Sequence, residues 1–244
     1  MNILAATHYF VPHAGGIEFV ALNQATGLAA AGHTVTVLTS SCGARRGRTE
    51  RDGFTVQRVG AWNLFERKFG VPFPIFSPAL LWQAFKLVRR ADIVHAHDAF
   101  YLPSLAVTLW ARILRKPLVL TQHVALIPHP SKAVTLLQHI VYKTSGRFIF
   151  KTARKVMVLN TTVNNFVAAQ GVPAEDIIHL PNSVDTDAFH KGTAAAKRQL
   201  RKKYGLPLGQ PIALFVGRLV PKKGFHELLK LRTAGYTVTF AGGD

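Results

Sequence analysis

The 244-residue chain carries 30 lysines and arginines against 12 acids, a formal charge of +18, and 48% of its residues are hydrophobic. That apolar content excludes a disordered chain and is enough for one large or two modest domains. The lone cysteine, Cys42, excludes an internal disulfide and suits a reducing, cytoplasmic setting. The charge is unevenly spread. Between Ala99 and Ala174 there is no acid, while Arg112, Arg115, Lys116, Lys132, Lys143, Arg147, Lys151, Arg154 and Lys155 accumulate. One face is therefore strongly positive and suits a polyanionic partner. Zinc-finger spacing, RNP-type aromatics and a basic heptad region are all missing, so nucleic acid is not the expected one.

The start, Met1-Asn-Ile-Leu-Ala-Ala-Thr-His, has no basic segment before an apolar core and reads as a strand, not a signal peptide. Tyr9 to Glu18 is a loop through Gly15-Gly16 that opens into a helix near residues 17–31. Strand, glycine pair and helix start suit a phosphate: glycine permits dihedrals that other residues avoid, and the helix start offers unpaired N–H groups. Glu18, in the first turn, is expected as a partner of the helix dipole. Gly32-His33 ends the helix, and Thr34 to Thr39 alternates as a second strand. Ser40 to Asp52 reads as a polar loop and Phe54 to Val59 as a third strand.

Trp62 to Pro78 crowds aromatics and prolines beside Arg67 and Lys68, and leads into a helix near residues 79–90 that adds Lys86, Arg89 and Arg90. Such pairing suits an anionic membrane surface, while a core helix with a basic solvent face is the plainer alternative. Ala91-Asp-Ile-Val-His95-Ala-His97-Asp98 is a strand whose alternation puts His95 and His97 on one side. Two imidazoles and a carboxylate could take a metal, but no further ligand stands at characteristic spacing, so they are expected to line a cleft. The stretch Ala99 to Ala111, interrupted by Pro103, Ser104 and Thr108, reads as a buried helix. Pro117 to Thr121 is a strand that releases Gln122-His123 just past its carboxyl end, where α/β proteins hold ligands. His123 can donate, accept or change charge near neutrality.

Residues 131–153 read as helix, Lys155 to Asn160 as strand, Thr161 to Gln170 as a helix with a hydroxyl cap, and Asp176 to Leu180 as strand. After a turn and a helix over residues 193–204, the Gly/Pro-rich segment 205–211 is the expected boundary between domains at 1–204 and 205–244. Ile212 to Val216 suits a central parallel strand buried on both faces. It stops at Gly217 and releases Arg218-Leu-Val-Pro-Lys-Lys223-Gly224. A guanidinium fork, a mobile ammonium and a close-approaching glycine suit a diphosphate. One helix and the strand Tyr236 to Ala241 follow.

Five stretches in this order resemble the family 4 glycosyltransferases, enzymes of the GT-B fold with two facing Rossmann-like domains. They are Gly15-Gly16-Ile-Glu18, Asp92-Ile-Val-His-Ala-His97-Asp98, Thr121-Gln-His123, Leu180-Pro-Asn-Ser-Val-Asp185-Thr-Asp-Ala-Phe189 and Val216-Gly-Arg218-Leu-Val-Pro-Lys-Lys223-Gly224. Ser183 stands where glycine is usual and Asn160 where serine often stands. The resemblance implies an α/β, parallel-sheet GT-B protein that moves a sugar from a nucleotide diphosphate, with retention and without an obligatory metal ion, to a glycan, lipid-linked or polysaccharide acceptor of the cell envelope. Arg218 and Lys223 would bind the diphosphate and stabilise its departure, as fixed cations do in place of a metal. Gly15 and Gly16 would close on the phosphates from across the cleft, His123 would contact the donor sugar, and Glu18, His95, His97 and Asp98 would line the acceptor side.

The family's glutamate pair, which holds the donor sugar and ribose, has no counterpart, since the acids after Asp187 are only Glu227 and Asp244. The expectation is an incomplete second domain, and a chain that by itself binds sugar nucleotide weakly and turns over little. Two alternatives from other classes are a catalytically inactive remnant that binds an acceptor or partner, and a sugar-nucleotide epimerase, which would act on donor alone.

Overall fold

A computed structural model describes residues 1–69, 71–126, 131–217, 219, 223–230 and 235–242. The chain divides into two compact units, Met1–Ser183 and Val184–Asp244.

The first unit is an α/β layer structure. Its strands are β1 (Asn2–Ala6), β2 (Thr34–Ser40), β3 (Gly47–Arg51), β4 (Phe54–Val59), β5 (Ala61–Trp62), β6 (Ile75–Phe76), β7 (Ile93–His97), β8 (Leu118–Gln122), β9 (Lys155–Val158) and β10 (Ile177–His179). Eight of them form one sheet in the order β10-β9-β8-β7-β1-β2-β4-β3, while β5 and β6 pair by themselves. Every pairing in the large sheet is parallel except β3 with β4. The sequence reading put residues 47–51 in a polar loop. They form an edge strand instead, because Asp52-Gly53, both at positive φ, turn the chain back onto β4.

Alternation along the strands feeds two cores. Ile3, Ala5, Val35, Val37, Phe54 and Val56 pack under Ala21 and Ala25 of the helix α1 (Gly16–Ala30). The larger core, with Leu4, Ala6, Val94, Ala96, Leu120 and Val156 among its strand residues, lies on the opposite face. Helices α3 (Ala79–Arg90), α4 (Leu102–Ile113), α6 (Arg147–Thr152) and α7 (Thr161–Ala169) contribute to it. The short α2 (Leu64–Phe69) precedes β6, and α5 (Lys132–Val141) runs through a π turn at Tyr142–Gly146 into α6, so the helix expected over 131–153 is interrupted. Gly32, at φ 83, ends α1: its N–H donates to Ala29 at 2.9 Å and that of His33 to Leu28 at 3.1 Å. The cap of α7 is a carboxamide and not the expected hydroxyl, since Asn160 Oδ1 accepts from the Val163 amide at 3.0 Å.

The second unit holds α8 (Ala194–Lys203), β11 (Ile212–Val216), α9 (Phe225–Lys230) and β12 (Thr237–Ala241), with β11 and β12 parallel. The Arg201 guanidinium donates to the carbonyls of Pro207, Leu208 and Gln210, which ties α8 to the segment after it. The division after Ser183 therefore groups α8 with β11, ahead of the boundary at 204 read from sequence. β11 is not covered on both faces. Phe215 packs toward Phe225 and Phe240, but Leu214 is 57% and Val216 73% exposed, so the opposite face of β11 is left open among the described residues.

Candidate active site

The strand order of the first unit reverses between β1 and β7. Chain direction runs outward from β1 through β2 to β4, then returns to β7 and continues outward through β8 to β10. Ligands of open parallel sheets sit beyond the carboxyl ends of the strands at such a reversal. Here those ends release Thr7-His8-Tyr9 after β1, His97-Asp98 at β7 and Gln122-His123 at β8.

The structure brings His95, His97 and His123 together. The rings of His95 and His97 lie 4.4 Å apart on one face of β7, and His97 Nδ1 is 3.1 Å from His123 Nε2. One of those two nitrogens must donate and the other accept, so the pair shares a single proton. His95 Nε2 is 2.8 Å from Thr121 Oγ1. Burial lowers all three: His95 to about 4, His123 to about 3, and His97 well below the ordinary imidazole value, with the neighbouring imidazoles adding to the effect on His97 and His123. His8, stacked on Tyr101 at 3.5 Å, is lowered in the same way. These imidazoles are neutral near pH 7 and act through hydrogen bonds, not charge. Among the described residues, no group of three or more histidines, cysteines and acids is placed to hold a metal ion.

Asp98 is fully buried at φ 65, and its Oδ1 accepts from the Phe100 amide at 3.0 Å. Burial raises its carboxyl to about 6, against the lowering effect of nearby donors such as that amide. Beside it opens a cavity of about 90 Å³, lined among others by Asp98, Phe100, Tyr101, Val124, Gln138 and Tyr142.

Glu18 is not merely a dipole partner. It is 4% exposed, and His13 Nδ1 lies 2.8 Å from its Oε1, while His13 Nε2 reaches Glu66 at 3.3 Å. The hydrogen bond to Glu18 raises His13, helped by the charges of Glu18 and Glu66, against partial burial. The glycine pair works differently from the sequence expectation. Gly15 has extended φ −165 and Gly16 is helical, so neither uses a dihedral reserved for glycine. Gly15 is needed because the Glu18 carboxylate folds over it: a Cβ there would stand 2.7 Å from Glu18 Cδ, whereas at Gly16 nothing lies within 4 Å. The loop is also pinned from below, where buried Arg58 of β4 donates to the Val11 carbonyl at 2.6 Å.

In the second unit, Lys223 is exposed just before α9, next to Gly224 at φ 74. Arg218 lies outside the described residues. Beyond the strand ends Gly217 and Gly242 come into backbone contact, with the Gly217 amide bonded to Ala241 at 3.0 Å, which leaves no room there for a side chain on Gly242.

Sequence reasoning missed His8, His13, Tyr101 and Arg58. The rule that selected His123, a polar residue just past a central strand, also selects His8. The others lack any local signal, since their partners lie in other elements.

The profile of Glycosyltransferase Family 4 matches residues 14–188. The chain is 30% identical to the 2-deoxystreptamine glucosyltransferase of Streptomyces kanamyceticus over 173 residues, 66% of this chain and 44% of that protein. It is 33% identical to the putative teichuronic acid biosynthesis glycosyltransferase TuaC of Bacillus subtilis over 141 residues, 56% of this chain and 33% of that one. The chain thus spans less than half the length of these curated relatives. In three dimensions it resembles Anabaena HepE, solved in complex with UDP-glucose, with a TM-score of 0.70 at 17% identity over 100% of this chain and 61% of that one. The fold is that of the GT-B glycosyltransferases, and the chain belongs to glycosyltransferase family 4.

Proposed function

We propose that this chain serves a retaining glycosyltransferase that moves a sugar from a nucleotide-diphosphate donor to a glycan or lipid-linked acceptor in cell-envelope or polysaccharide synthesis, at the cytoplasmic face of a membrane. The observation that carries the reading is the cluster of neutral imidazoles and Asp98 at the strand reversal of a family 4 fold. His123 hydrogen-bonds the donor sugar without placing a charge beside the anomeric carbon, where positive charge develops. Asp98, at the edge of a mostly apolar cavity, orients an acceptor hydroxyl together with His95, His97 and the Glu18-held loop. Arg218 and Lys223 take the diphosphate, and no metal is required. The relatives' names support a sugar donor and an envelope polymer or small-molecule acceptor, and HepE was solved with UDP-glucose.

The test is calorimetric titration of the chain with UDP-glucose, UDP and GDP-mannose, beside the Arg218→Ala variant. At least one of the three is expected to bind, weakly for this chain by itself, and the variant to lose a further ~1–3 kcal/mol, the range of a charged hydrogen bond. Equal affinity in both proteins would remove Arg218 from the donor site. A second reading, an acceptor-binding module without turnover, is favoured by the absence of any buried residue among the described residues of the second unit. It predicts glycan binding with no nucleotide released from any donor.

A further inference from the structure

The helix layer over the larger core presents an outer face that sugar transfer does not explain. On α3, Leu81 and Trp82 are 49% and 56% exposed, and on the adjoining α4, Leu109 and Ile113 are 39% and 57% exposed. The aromatic groups are fixed in place. Phe85 lies between Trp82, stacked at 5.6 Å, and Trp110, tilted at 4.9 Å, and the Trp110 indole N–H donates to the Leu81 carbonyl at 2.9 Å, closing α3 onto α4. Cations cover the rings, with Lys86 Nζ 4.9 Å from the Trp82 centroid and the Arg89 guanidinium 5.8 Å from that of Phe85. Arg90, Arg112 and Arg115 are exposed nearby. From Ala79 to Lys116 the only acids are Asp92, which accepts the Asn2 amide at 2.7 Å, and Asp98, which is buried.

The other flank of α3 walls a groove of about 250 Å³ against β1, β2, β3 and β4. Thr36, Thr55 and Gln57 line it with polar groups, and Arg48, Lys86 and Arg90 bring positive charge. Glu50 balances Arg48 at 3.0 Å, so Lys86 and Arg90 set the sign of the groove. We propose that the outer face of α3 and α4 docks on an anionic lipid bilayer. Trp82, Leu81 and Ile113 enter the interface, and a lipid phosphate sits in the groove between Lys86 and Arg90. Aromatic rings at headgroup depth beside cations match a charged membrane surface from both sides: apolar area enters the acyl boundary, and each cation meets phosphate. This inference rests on the membrane-face part of the proposed function, and it fails separately, because donor binding is measured without vesicles.

The experiment is co-sedimentation of the full chain with phosphatidylcholine vesicles with and without phosphatidylglycerol, at low and high salt. Binding is expected only with phosphatidylglycerol, weakened by salt, and with a blue shift of tryptophan emission. Lys86→Gln/Arg90→Gln is expected to weaken partitioning about tenfold or more, and Trp82→Gln to weaken it and reduce the shift. Lys197→Gln/Arg198→Gln on α8, equal in charge removed, is expected to bind like the wild type. All sites are exposed, and unchanged circular dichroism verifies folding. A wild-type chain left in the supernatant overturns the proposal, and so does equal loss in both charge pairs, which means diffuse attraction of a +18 protein. A dimer that Trp82→Gln dissociates overturns it too, assigning the face to a second copy.

Discussion

At the scale of single residues, neighbouring glycines have separate physical reasons. Gly15 makes room for a carboxylate that must stay where it is, because Glu18 is buried against His13. Gly15→Ala is therefore expected to push that carboxylate off His13 and lower stability by ~1–3 kcal/mol, as overpacking does. Gly16→Ala fills empty space at a helical position and is expected to be neutral or to stabilise by ~0.4–1 kcal/mol through the unfolded chain. Urea unfolding of the two variants checks both, and equal effects would mean that Glu18 does not depend on the space over Gly15. The sequence displayed the pair but not this asymmetry, because the cause is a side chain folded back across one glycine. His95 and His97 were different: strand alternation alone puts them on one side, and the structure has their rings in contact.

Elements were the most legible level. Periodicity located the main strands and helices, since a buried strand must be apolar and a two-faced helix must alternate over its turns. The missed pieces were those whose signal is tertiary. β3 is charged and exposed, and exists because β4 offers it an edge. The π turn inside the 131–153 segment packs Tyr142 into the core, a demand made by the core and not by local propensity. Helix α7 gives a direct test of local chemistry. Asn160→Ala removes the acceptor for the Val163 amide and is expected to cost ~1 kcal/mol, whereas Asn160→Ser keeps a cap and costs less. Thermal unfolding of both variants measures the difference.

For the molecule as a whole, the strand reversal was invisible in the sequence, because it depends on which strands become neighbours. Once seen, it explains why residues distant in the chain share one buried polar cluster, and it sets the pH response. His8, His95, His97 and His123 have folded values below the unfolded 6.5, so between the two the unfolded chain binds more protons. Their stabilisation is complete above pH 6.5 and is lost as pH falls toward about 4 for His95 and about 3 for His123. Asp98, raised from 3.8 to about 6, opposes this in its own narrower window, favouring the folded state as pH falls. His13, raised, adds stability that is present in acid and fades as pH rises through its folded value. Histidines prevail in number, so stability is expected to drop on acidification below 6.5, each unmatched proton contributing about 1.4 kcal/mol per pH unit. Urea midpoints between pH 7 and 5 read this out, and a flat profile would contradict four neutral buried imidazoles.

The two borders of the large sheet have a further consequence. β3 at one border carries Arg48, Glu50 and Arg51 outward, and β10 at the other is three residues long. A foreign strand would meet charge on one side and too short a template on the other, so lateral growth of the sheet into aggregates is blocked at both margins by different means.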